Sequence, residues 1–258
     1  MALVVAAHPD DEVIGAGIRL GHVHAVTVLH VTDGAPRDDR DARAAGCSGR
    51  AAYARLRRRE LRSALERAGL PAVRLRRLGV VDGEAALAMA PLAVRLAGLL
   101  RRQRPQVVVT HPYEGGHPDH DAAAFAVHCA CKLLRRRGDS PPCLIEMTSY
   151  HAIDGVLRTG AFLPGGDDGV SVPLTAPDAE RKRRMLACFA SQRRTLALFD
   201  VSAERFRLAP AYDFTRPPHD GAPYYEMFRW GPTAHEWRRL ASRAQSSLGL
   251  ADSAASPF

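Results

Sequence analysis

Two short stretches hold side chains able to do chemistry together: His8-Pro9-Asp10-Asp11-Glu12, and His111-Pro112-Tyr113-Glu114-Gly115-Gly116-His117-Pro118-Asp119-His120-Asp121. In the first, a histidine is followed closely by three consecutive carboxylates. Like charges this near repel, and carboxylates are rarely buried without a partner. A divalent cation removes the conflict. Together the stretches bring two imidazoles and a carboxylate within reach of one ion, with positions left for water and substrate. That is the pattern of a catalytic rather than a structural zinc. Each stretch alone has a plainer reading: a turn whose Asp caps a helix, or a chance histidine pair. Both, each after an apolar strand and before a helix, argue for metal. Glu12 is the member most easily assigned to structure, as an acid in a first helical turn.

The elements that must position these residues alternate. Strands are expected at Leu3–Ala7, His24–Thr32, Val73–Leu78, Pro105–Thr110, Leu144–Tyr150 and Val170–Leu174. Helices are expected from about Glu12, at Ala51–Ala68, Pro91–Arg102, Asp121–Arg137 and Pro177–Phe199. Such alternation implies an α/β fold, a mostly parallel sheet with helices on both faces. In a parallel sheet both motifs lie on one edge, where ligands bind at the point of strand-order reversal. Residues 200–234 show no period and 246–258 are small and polar, expected to fray; with no repeat or linker, one domain over 1–258 is expected.

Composition narrows the partners. The chain has 258 residues, 46% hydrophobic, enough for a sizeable core. No apolar run reaches the ~18 residues of a membrane span, and no signal peptide precedes the first strand. Five scattered cysteines read as free thiols in a reducing cytoplasm. The net charge of +8 rests almost wholly on arginine, spread along helices without interleaved aromatics, so nucleic acid is not the expected partner. An anionic substrate stays open, as does a homo-oligomer.

The motifs AHPDDE and GGHPDHD resemble those of the PIG-L/LmbE-type N-acetylglucosaminyl deacetylases, over roughly residues 2–130. Arg57-x-x-Glu60, Asp82-Gly83 and Ser191-Gln192 extend the likeness. The resemblance implies a Rossmann-like fold and removal of an acetyl group from an N-acetylated sugar conjugate. It implies zinc, with iron(II) as the alternative, held by His8, Asp11 and His120. It gives Asp10 as general base, His117 as transition-state stabiliser and Asp119 as the group orienting His117. Arg57 matches the arginine that grips substrate, against the plain reading of a solvated arginine run. Asp82 is a second substrate-side candidate, or simply a turn residue before glycine.

Amide hydrolysis agrees with these roles. Of two neighbouring aspartates on a turn, one can bind metal while the other takes the proton from water. A charged His117, its pKa raised by Asp119, would stabilise the oxyanion. The rivals are a non-haem iron oxygenase using two histidines and a carboxylate, and a metal-dependent binding module. A second carboxylate beside the ligand is superfluous for binding alone. A nucleotide-binding dehydrogenase is not expected, because Gly15-Ala-Gly17 has no third glycine in register and acids at the strand tip repel pyrophosphate.

Overall fold

The computed structural model describes residues 1–70, 73–164 and 166–251. In chain order the elements are β1 (Ala2–Ala6), α1 (Asp11–Ala16), β2 (Val26–Thr32), α2 (Arg40–Ala44), α3 (Arg50–Arg67), β3 (Arg74–Val80), α4 (Met89–Gln103) and β4 (Val107–Thr110). Then follow α5 (Pro118–Arg136), β5 (Cys143–Met147), β6 (Tyr150–Ile153), β7 (Val156–Thr159), β8 (Val170–Pro173), α6 (Ala176–Leu186), α7 (Arg193–Leu196), β9 (Ala203–Leu208) and α8 (Ala234–Ser247).

Seven strands form one sheet in the order β3-β2-β1-β4-β5-β9-β8. The first five run parallel, and β9 and β8 join antiparallel at the edge. Period-two alternation splits the apolar residues of β1 between two layers. Leu3 and Val5 pack with α4, α5 and α8, whereas Val4 and Ala6 face Ala16 and Leu20 on the other side. There α1, α3 and α6 pack through Val13, Leu61, Ala64 and Met185. Strand order reverses between β1 and β4, whose paired residues Leu3 and Val108 bring both motif-bearing tips side by side.

The sequence reading needs correction in five places. Helix α5 starts at Pro118 rather than Asp121, because the His117 Nδ1 caps it by accepting from the Asp119 N–H and Pro118 suits a first helical position. The helix expected over 177–199 is broken after Leu186, since Ser191 turns its N–H and hydroxyl to the Glu60 carboxylate. The strand expected over 144–150 divides into β5 and β6. The latter turns into β7 through Asp154-Gly155, both at positive φ (51° and 74°), a tight two-residue hairpin. Strand β9 went unpredicted because two of its inward residues, Glu204 and Arg207, are charged. Helix α8, opened by a Thr233–Glu236 capping box, also went unpredicted. It runs to Ser247, and residues 252–258 of the tail expected to fray lie outside the described residues. Among the described residues no helix is long and apolar enough to cross a membrane.

One buried ion pair ties the antiparallel edge to α1. Lys182 donates to Glu204 (2.9 Å) and to the Ile14 carbonyl (2.7 Å), while Glu204 also accepts from the N–H groups of Ile18 and Arg19. Removing one member of such a pair strands the other charge in the interior, so Lys182→Met should cost about 3 kcal/mol of stability in urea unfolding. A loss below ~1 kcal/mol would mean that the backbone donors alone satisfy Glu204.

Candidate metal centre and active site

The tip of β1 and the N-terminus of α5 build the centre. Ligand atoms of His8, Asp11 and His120 lie within 4.8 Å of one another, and all three residues are buried. Asp11 stands at the focus. Its Oδ1 is 3.2 Å from the His120 Nε2, and its Oδ2 accepts from the His8 N–H at 2.7 Å. The His8 Nδ1 faces Asp11 at 3.4 Å, leaving Nε2 to meet Asp82 (3.1 Å) and Asp119 (3.3 Å). The Nδ1 of His120 meets the Ser149 hydroxyl at 3.4 Å. Each imidazole thus offers one nitrogen to the centre and has a polar partner for the other, the usual support of a metal-ligating histidine.

The donor set fits a divalent cation. Asp10, Asp11, Asp82 and Asp119 converge here, and Arg57 is the guanidinium among them. Burial and the adjacent His111 push the His120 pKa down to about 4, so its lone pair is free at neutral pH. Burial disfavours a charged Asp11, yet the His120 and His111 imidazoles outweigh it and hold Asp11 well below the usual carboxylate range. A second set of donor atoms, from His8, Asp82 and His117, meets the same distance limit but shares His8 and is less buried.

The neighbouring aspartates part company. Asp10 gives Oδ2 to Arg57 at 3.0 Å, and its Oδ1 has no hydrogen-bond partner among the described residues. Burial pushes the Asp10 pKa up to about 7, with Asp11 adding to the rise and Arg57 opposing it. Arg57 itself is 4% exposed and also donates to the carbonyls of Pro9 and Gly34. The expected substrate-gripping arm is therefore turned inward, onto Asp10. Helix α3 is held in that position by Glu60 on Ser191 and by Tyr53, which accepts from Gln192. Asp82, the other substrate-side candidate, meets His8 instead.

His117 and Asp119 depart from expectation too. The Asp119 carboxylate makes no hydrogen bond to His117 among the described residues; it accepts from the N–H groups of Gly83 (2.7 Å) and Ala85 (2.9 Å) and faces His8. The Asp119 backbone N–H holds the His117 Nδ1 at 3.1 Å. Burial and the His8 imidazole push the His117 pKa down to about 3, against the attraction of Asp119. With Nδ1 accepting from a backbone donor, the ring suits the neutral form that carries its proton on Nε2. Gly116 is packed closely: a Cβ there would lie 1.9 Å from the Tyr150 carbonyl oxygen. Asp121 folds that loop back by accepting from the N–H groups of Glu114 and Gly115.

Sequence reasoning missed three contributors. His111 stacks on His120 (4.0 Å between ring centroids) and puts Nε2 3.2 Å from Asp11. Its place just after β4, matching His8 after β1, was the available signal. Tyr150 stands edge-on to His120 at 5.2 Å, and Trp230 lies 5.4 Å from His117. Nothing in the aperiodic 200–234 segment pointed to Trp230. Because Asp119 aligns His8 and anchors the Gly83 loop, Asp119→Ala should weaken divalent-ion affinity about 10–100-fold in a chelator competition. Unchanged affinity would remove Asp119 from the support of His8.

Comparison with known proteins bears on this geometry. A family model described as GlcNAc-PI de-N-acetylase, PIG-L, matches residues 3–131, half of the chain. No curated protein matches. Among solved structures, the zinc-inhibited form of teicoplanin deacetylase Orf2 is 19% identical with a TM-score of 0.56, covering 74% of this chain and 84% of that one. The N,N'-diacetylchitobiose deacetylase of Pyrococcus horikoshii is 20% identical with a TM-score of 0.55, covering 81% and 83%. The 4-carboxy-2-hydroxymuconate hydratase GalB of Pseudomonas putida is 18% identical with a TM-score of 0.55, covering 82% and 99%. These three share the fold. The matched segment contains both motifs and every candidate ligand, and the chain belongs to the PIG-L family.

Proposed function

We propose that this protein is a metal-dependent amide hydrolase that removes the acetyl group from an N-acetylglucosamine-type conjugate. The observation that carries the reading is the split within Asp10-Asp11. Adjacent carboxylates in contrasting surroundings, one tied to imidazoles and one tied to a guanidinium with an oxygen free, mark a ligand and a base. The family and the two deacetylases of like fold support the reaction class.

His8, Asp11 and His120 would hold the ion, zinc in the first instance and iron(II) as the alternative. When bound, such an ion acidifies water and polarises the acetyl carbonyl. Asp10, with its pKa near neutrality, takes the proton of the attacking water on Oδ1 and passes it to the leaving amine. Arg57 keeps that carboxylate from turning away. Neutral His117 donates from Nε2 to the developing oxyanion, a role that a fixed N–H fulfils without a positive charge. Asp82 and Asp119 hold His8 in register.

Acetate release from N-acetylglucosamine glycosides by the metal-loaded protein tests the reaction; oxygen uptake in its place would favour an oxygenase. Asp10→Asn should keep the metal and lose roughly 10²–10⁴ in kcat, whereas Asp11→Asn should lose metal affinity itself. If both variants lose metal alike, the division within the pair is wrong.

A pH profile checks Arg57. The base works only when ionised, so activity falls as pH drops through the Asp10 pKa. Arg57 lowers that pKa, and Arg57→Gln should therefore move the acidic limb of kcat/KM to higher pH. An unmoved limb in a protein that still holds its metal would separate Arg57 from Asp10.

A further inference from the structure

Five rings close a circuit on one side of the centre. His117 and His120 are 5.3 Å apart, Tyr150 follows at 5.2 Å, Tyr224 at 5.8 Å and Trp230 at 5.8 Å, and Trp230 returns to His117 at 5.4 Å. From Tyr224 and Trp230 the aromatic surface continues outward. Phe228 stacks on Trp230 (4.7 Å, 18° between planes) and touches Tyr224 at 5.0 Å, yet stays 46% exposed, and Met227 beside it is 57% exposed. Large apolar side chains left open and continuous with a catalytic centre mark a ligand surface rather than a core.

Charge argues for the same occupant. On the sheet edge that carries the centre, the arginines near the tips of β1 to β3 are engaged: Arg57 on Asp10, Arg50 on Asp33 and Arg37 on Glu84. Among the described residues Arg229 is a cation in this stretch, exposed between Phe228 and Trp230 in the chain.

We propose that this aromatic rim, from Tyr150 and Tyr224 to Trp230, Phe228 and Met227, is the subsite for a neutral, apolar aglycone attached to the acylated sugar. The assignment rests on the deacetylase reading for the sugar itself, but the apolar surface stands on its own geometry. An apolar group leaving water for such a surface gains with its buried area, and flat rings add stacking with Phe228 and Trp230.

Two measurements on the metal-loaded full chain test it. In the first, acetate release is compared among the phenyl glycoside, the methyl glycoside and the 1-phosphate of N-acetylglucosamine. The phenyl glycoside should exceed the methyl glycoside at least tenfold in kcat/KM, chiefly through KM, and Phe228→Ala should bring that ratio to about threefold or less. Equal rates for phenyl and methyl, or preference for the 1-phosphate, would overturn the proposal, the latter pointing to Arg229. The second measurement uses phenyl β-glucoside, which has no acetyl group to lose. The chain has two tryptophans, and Trp237 is fully buried, so a ligand at the rim acts on Trp230. Its emission should shift saturably to the blue in the parent protein and not in Trp230→Phe. No shift overturns the subsite. A saturable shift with acetate released from none of the sugars overturns the deacetylase reading and leaves the apolar subsite in place.

Discussion

Negative charge at the carboxyl end of β1 is the constraint from which the rest of the architecture follows. Four aspartates converge on a crevice nearly closed to water, where uncompensated anions cost several kcal/mol each. The chain supplies partial remedies: N–H groups of His8, Gly83 and Ala85, the imidazoles around Asp11, and Arg57 on Asp10. The cluster is acidic where His8, Asp11 and His120 bring their ligand atoms within 4.8 Å of one another. Arg57 is held at one end of this balance by a helix far from the sheet edge in sequence. The Glu60–Ser191 and Tyr53–Gln192 bonds that clamp α3 against the later helices are thus part of the electrostatics of the centre.

What could be read from the sequence is what local chemistry decides. Apolar runs ending in His-Pro located both strand tips, and the alternation of elements gave the parallel sheet and its loaded edge. The cap that begins α5 three residues early was hidden because histidine is an unusual capping side chain. Only the fold shows Nδ1 of His117 reaching the Asp119 N–H. The direction of Arg57 was likewise invisible, since three consecutive arginines look alike until the helix buries one of them. In the second half, pattern reading failed because buried positions are charged. Glu146, Arg207 and Tyr212 form one hydrogen-bonded group beneath Glu114, and Lys182 pairs with Glu204. Periodicity sees such residues as surface.

The same sheet occurs in a hydratase and in two deacetylases at a fifth identity or less, so topology does not choose the reaction. In the proposed reaction the choice lies in how two adjacent carboxylates are partnered. Asp11 faces imidazoles and remains an anion; Asp10 faces a guanidinium in a dry setting and can exchange a proton near neutrality. The neutral state of His117 belongs to the same logic. A cation at the centre further discourages a second positive charge beside it, so a stabilising group there works best as a fixed dipole, with its tautomer chosen by a backbone donor.

In the proposed mechanism that fixed dipole links catalysis to the aperiodic C-terminal segment. The segment and the helix α8 that follows it are bonded to the β4–α5 loop and the start of α5 in several places: the Tyr224 N–H to the Gly115 carbonyl, the Trp237 indole to the Pro118 carbonyl, and the Tyr113 hydroxyl to the Arg216 carbonyl. Gly231 approaches Gly83 so closely that a Cβ would come within 3.1 Å of its carbonyl oxygen. The loop that carries His117, the turn that aligns Asp119 and the rings that border the centre are therefore one packed unit. Small shifts in a group aimed at a transition state cost rate steeply. On the proposed mechanism, change in the segment that would shape the substrate surface must preserve the seat of His117, which confines variation to outward positions such as Met227, Phe228 and Arg229 while Tyr224, Trp230 and Trp237 hold the frame.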